Sequence, residues 1–163
     1  VITGLFINPF LVVIGIFVFI GAGAEYNFMK MGKALKTFVA GDALITDYLT
    51  LSPDETLEAA AEKIVHYPDS GILVMEGDQL RGILTGSNII KGLSEHGKDA
   101  PVSEVMSAEF ETVAPEKPLE KVFRMMQSRR LPLVPVMKNG KVRGILDKDN
   151  LHQFILVRQA LDE

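Results

Sequence analysis

Two seven-residue strings, GILTGSN at Gly82–Asn88 and GILDKDN at Gly144–Asn150, hold the side chains best spaced for chemistry. Each reads as a strand that ends near Gly and turns into a helix, a junction where backbone N–H groups come close to a ligand and favour an anion. Gly82 gives the close approach, Thr85 a hydroxyl, and Asn88 an amide able to bond two neighbouring sugar hydroxyls. Thr and Asn at these places also suit capping of the next helix, and the two roles are compatible. In the second string Asn150 is retained, but Asp147 replaces the hydroxyl. A carboxylate there repels a phosphate by about a few kcal/mol in a partly buried cleft, yet accepts an uncharged or cationic group. Arg129 and Arg130, in SRRLPLVPV, are a basic pair suited either to an anion or to the C-terminal dipole of a helix.

Other chemistry is thin. There is no cysteine, which excludes a disulfide framework, a thiol nucleophile and Cys-based zinc in this chain. His66, His96 and His152 are scattered, with no i,i+4 pairing. A net charge of -4 over 163 residues gives no global pull toward nucleic acid, and none is expected as a partner.

The two strings belong to a larger repeat. At an offset of 62 residues (144 − 82), Ala40–Leu93 aligns with Val102–Ile155 without a gap, and 11 of the 54 pairs are identical, which marks a tandem duplication. YLTLSPDETL predicts a short strand, then a helix capped by Ser52 with Pro53 first and Glu55 third, a capping box. Leu57, Ala60, Ala61 and Ile64 line one face of that helix. GILVMEGDQLRGIL predicts a hairpin around Gly-Asp, and a closing helix opens at Asn88. The second copy repeats the plan. ETVAP leads into a helix with Leu119, Val122, Phe123 and Met126 facing in, LPLVPVMKNGKVRGIL makes a hairpin with an Asn-Gly turn, and a helix runs on from Asn150. SEHGKDAP links the copies. At about 50 residues neither copy buries enough surface alone, so the two are expected to pack together. At the register of Arg129 and Arg130 the first copy has Tyr67 and Pro68, with no positive charge.

The first 24 residues differ. Leu5–Ala24 is a 20-residue uncharged, largely apolar run, enough for about 30 Å of helix, the thickness of a bilayer core. Residues 1–24 are therefore expected to form a transmembrane helix, the last of several in a longer protein, since the chain starts with Val rather than Met. Residues 25–39 read as an amphipathic linker helix with Phe28, Met31, Leu35 and Phe38 on one face. Lys30, Lys33 and Lys36 favour a cytoplasmic side for the C-terminal part of the chain.

The tandem β-α-β-β-α unit, with Gly-hydrophobic-x-Thr/Ser-x-x-Asp/Asn closing its last strand, resembles a pair of cystathionine-beta-synthase (CBS) domains over roughly residues 40–157. The resemblance implies an α/β (α+β) fold of two repeats, 40–97 and 98–163, packed as a pseudo-twofold pair and forming a homodimer. It implies a regulatory adenosyl ligand, AMP, ADP, ATP or S-adenosylmethionine, in clefts between repeats. One competent site is expected on Thr85 and Asn88 with Arg129 or Arg130 near the phosphates. By position in the family, Ile45, Thr46, Ile72 and Leu73 are candidate adenine walls, although each also suits the core. Asp147 and Asn150 form a second site, expected weak or empty. INPFLVVIGIFVFIGAGAE before such a pair is similar to the C-terminal end of site-2-protease-like membrane metallopeptidases. Their zinc and catalytic H-E-x-x-H would lie upstream of Val1, leaving no catalytic or metal residue here. A CBS tail on a channel or ion transporter, or a ligand-free dimerisation module, are the alternatives.

Overall fold

The computed structural model describes Ile14, residues 35–66 and residues 71–161. Apart from Ile14, the expected span at 1–24 lies outside these residues, as do most of the linker at 25–39 and Tyr67 and Pro68. Among the described residues no helix is long and apolar enough to cross a membrane.

The first copy runs β1 (Leu49–Leu51), α1 (Leu57–Val65), β2 (Ile72–Glu76), β3 (Gln79–Leu84) and α2 (Gly86–His96). β1 lies parallel to β2, and β2 antiparallel to β3, in a three-stranded sheet. The second copy runs α3 (Leu119–Arg129), β4 (Leu133–Lys138), β5 (Lys141–Asp147) and α4 (Lys148–Leu161). Its hairpin turns at Asn139 and Gly140, both at positive φ (54° and 75°), which Asn-Gly tolerates.

Two expectations are corrected. Ser52 does not cap a helix: Glu55 takes the Ser52 N–H at 2.6 Å, but Thr56 stays extended and is itself the N-cap, so α1 starts at Leu57. The N–H groups of Leu57 and Glu58 are drawn instead to the carbonyls of Ala100 and Lys98 in the linker. ETVAP is not a full strand either. Val113 makes a single parallel bridge to Val136, the equivalent of Leu51 to Val74. Extending that ladder one step needs an N–H at position 135, and Pro135 has none. The inward faces of the helices are as expected, with Leu119, Val122, Phe123 and Met126 buried along α3.

The copies exchange their opening segments. Val39 bridges to Pro118 and Ile45 to Ile145, while Pro101 bridges to Thr56 and Ser107 to Ile83. Each pair maps onto its counterpart by the 62-residue offset with the roles reversed, a pseudo-twofold relation. Individual bonds obey it too: Gly41 N–H to the Pro115 carbonyl (2.9 Å) matches Ser103 N–H to the Pro53 carbonyl (3.1 Å). Leu35, ahead of the first copy, and Ala40, its first residue, are buried in the core of the second with Val122 and Leu146. Phe38 stacks edge-on against Phe154 of α4, ring centroids 5.1 Å apart, with Arg158 over both rings. A shared cluster of Leu73, Ile83, Leu133 and Ile145 joins the two sheets.

Candidate functional site

The exchange decides what the Gly-Ile-Leu strings do. A methyl group at Gly144 would collide with the Ile45 carbonyl oxygen, and one at Gly82 would lie 2.7 Å from the Met106 sulfur and 3.0 Å from the Ser107 carbonyl oxygen. Gly82 gives close approach to the opening segment of the other copy. Just beyond each glycine, where exchanged segment and motif strand part, a cleft opens.

The Thr85 cleft lies between Ile83 and Thr85 on one side and Ser107 to Glu111 on the other, with Leu131 to Leu133 as its floor, and measures about 100 Å³. It continues into a wider, shallower trough of about 480 Å³ bordered by Glu109, Glu111 and Arg129. Arg129 is thus brought to this cleft, held in an ion pair with Glu111. Arg130 is not: it is the exposed C-cap of α3, in the left-handed conformation (φ 55°), and lines neither cleft. Thr85 is the N-cap of α2. Its Oγ1 accepts the Asn88 N–H at 3.3 Å, and Asn88 Oδ1 accepts both the Thr85 N–H (3.0 Å) and the Thr85 hydroxyl (2.5 Å). The amide oxygen is therefore consumed, and the NH₂ is the group Asn88 can offer. Asn88 itself borders a separate recess with Lys91 and His96.

The Asp147 cleft measures about 220 Å³, and both motif residues, Asp147 and Asn150, line it, with Ile45, Asp47, Tyr48 and Gly71. Gly71, the counterpart of Leu133 in the Thr85 cleft, lies against the Leu133 side chain, where a Cβ would meet its Cδ2. Asp147 is only 6% exposed. Its Oδ1 accepts the Asn150 N–H at 2.8 Å and its Oδ2 the Asn150 Nδ2–H at 2.7 Å. This amide has the opposite polarity to Asn88, bound through its nitrogen and left with a free carbonyl oxygen.

Of the expected apolar walls, Ile45 lines a cleft, though the one at Asp147. Thr46 is exposed beside it. Ile72 and Leu73 are fully buried, Ile72 in the core of the first copy and Leu73 in the shared cluster, and neither is among the described residues lining the two clefts. The residues that sequence reasoning missed are Asp47 and Tyr48 and their counterparts Glu109 and Phe110. The 62-residue offset identifies them as a matched set, but only the exchange places each pair opposite the other copy's motif. Among the described residues no group of His, Asp and Glu could hold a metal ion.

Comparison with known proteins agrees with this architecture. The CBS domain family matches residues 40–95 and 102–157. A CBS domain-containing protein of Bacillus subtilis, YhcV, is 31% identical over 107 residues, covering 64% of this chain and 76% of its own. Zinc metalloprotease MJ0392 of Methanocaldococcus jannaschii is 23% identical over 156 residues, 96% of this chain but 43% of its own length. Against a homoserine O-acetyltransferase of Methanosalsum zhilinae the chain spans only 28% of the relative's length. Two solved structures share the fold: the CBS domain pair of MJ0100 in complex with 5'-methylthioadenosine and S-adenosyl-L-methionine (TM-score 0.65, 20% identity, 74% of this chain and 97% of that one) and CBSX2 in complex with AMP (0.66, 21%, 75% and 98%). The chain belongs to the CBS domain family, as a tandem pair whose repeats exchange their opening segments.

Proposed function

We propose that this chain is a regulatory module that senses an adenosyl ligand, with a phosphate-bearing nucleotide such as AMP, ADP or ATP at the Thr85 cleft. The observation that carries this reading is the placing of Thr85, at the N-terminus of α2, in a cleft that opens into the trough of Arg129. The helix start favours a phosphate, and Arg129 supplies charge once its pairing with Glu111 is exchanged for the ligand. Glu109 and Glu111 oppose it, so occupancy depends on Arg129. Ligands of two proteins with the same fold, AMP in one and adenosyl compounds in the other, support the class.

The parent protein is proposed to be a multi-pass membrane metalloprotease of the site-2 type. The match to the M. jannaschii zinc metalloprotease takes in 156 of the 163 residues, so it extends well into the first 34, beyond the CBS pair. Residues 1–24 are then its last span, with the pair on the cytoplasmic side and a second copy as dimer partner. Ligand binding regulates the protease only by favouring one arrangement of the repeats over another.

Thermal unfolding tests the sensor reading. A ligand at a hundred times its Kd stabilises the chain by about 2.7 kcal/mol, so a rise in Tm with AMP, ATP or S-adenosylmethionine is expected. No shift with any of them removes the reading. The protease reading requires H-E-x-x-H in a membrane helix encoded upstream of Val1, and a reading frame with a pore or carrier signature there instead favours the transporter tail.

A further inference from the structure

We infer that Glu111 sets which nucleotide the Thr85 cleft accepts, so that a nucleoside monophosphate binds and a longer phosphate chain is turned away. This rests on the sensor reading above and narrows its ligand. Arg129 and Glu111 form their ion pair where the cleft opens into the trough, with 56% and 41% of the two side chains exposed. A pair so open to water is weakly held, and a phosphate can take the guanidinium from it. The exchange leaves the Glu111 carboxylate beside the bound phosphate.

Two observations carry the assignment. The first is that the two charges occur together. At the 62-residue offset Glu111 matches Leu49 and Arg129 matches Tyr67, so the first copy is uncharged at both positions. An anchor for a phosphate needs no carboxylate opposite it; with one, the ligand must displace a contact to bind. The second is the charge of the space beyond. Glu109 and Glu111 border both the cleft and the trough, and Arg129 is the one basic residue among the described residues that line them. A single phosphate near the start of α2 uses Arg129 in full. The trough, at about 480 Å³, has room for more phosphates, so size does not exclude them. Each added phosphate enters between two carboxylates with no further cation to meet it, and like charges a few ångströms apart lose affinity even in a wet cleft. Selection against the longer chain is thus by repulsion rather than by crowding.

The test is calorimetric titration of the full chain with AMP, ADP and ATP in metal-free buffer, where each ligand carries only its own charge. The site is defined by the heat lost in Thr85→Val. The unaltered chain is expected to bind AMP about tenfold or more tighter than ATP, with ADP between them. Glu111→Gln frees Arg129 and removes one opposing charge. AMP is expected to bind that variant about threefold tighter and ATP to gain more, which closes the AMP-to-ATP ratio to about threefold or less. Glu109→Gln, at an exposed position, is expected to narrow the ratio with a smaller gain for AMP, because Arg129 keeps its partner. ATP bound as tightly as AMP, or a ratio that neither substitution narrows, overturns the inference and leaves the sensor reading standing. No heat dependent on Thr85 with any of the three removes the nucleotide site and the inference together.

Discussion

Thr85 and Asp147 occupy the same place in the two copies, and the difference between hydroxyl and carboxylate turns one amide around. Asn88 holds its oxygen toward Thr85 and Asn150 its nitrogen toward Asp147. The capping bonds thus fix which polar group each amide leaves toward solvent. Asn88→Ala removes an acceptor for two donors, and urea denaturation should show a loss of about 1 kcal/mol, the usual worth of a cap. The capping role of the motif residues was legible in the sequence, because a helix start takes short polar side chains there. Their partners were not, since Glu109 and Glu111 face Thr85 only through the exchange. At the surface, Lys141 lowers the Asp78 pKa from 3.8 through a 2.7 Å hydrogen bond, and Lys138 lowers that of Glu116 from 4.5. Depressed carboxylates stabilise the fold above their ordinary pKa and lose that contribution as pH falls through the lower folded value. Acid titration by circular dichroism should therefore show a modest loss of stability that begins below about pH 4.5, smaller at high salt. Lys141→Gln should reduce it further.

At the scale of elements, helices and hairpins come directly from apolar periodicity and turn residues. Asn139-Gly140 and the inward face of α3 are where patterning places them. Periodicity does not carry competition from another segment. α1 starts late because the linker claims its first donors, and the second copy has no full first strand because Pro135 cannot extend the ladder. The Gly of each Gly-Ile-Leu string is likewise explained by a neighbour from the other copy. Its replacement gives a graded prediction. Gly144→Ala meets a backbone carbonyl that cannot move aside, and should cost about 2–3 kcal/mol by chemical denaturation, within the range for overpacking. Gly82→Ala meets chiefly the end of the flexible Met106 side chain and should cost about 1 kcal/mol. Equal costs would mean that the exchanged segments yield alike.

In the whole molecule, exchange makes each copy depend on the other. The core of the second copy includes Leu35 and Ala40, so residues 98–163 alone lack part of their own interior. That fragment should fail to show a cooperative thermal transition, and adding residues 35–97 in cis should restore it. The same interlock ties the segment just ahead of the first copy to the second, with Leu35 in its core and Phe38 on α4. Above all, these clefts should bind adenosyl ligands, with the phosphate form at Thr85. Calorimetric titration of the chain with AMP, alongside Thr85→Val and Arg129→Ala, is the decisive measurement. One AMP per chain is expected, with affinity reduced about tenfold or more in each variant, the cost of one lost charge-assisted or polar contact. No heat with the unaltered chain, or binding indifferent to both substitutions, would refute a nucleotide site at Thr85.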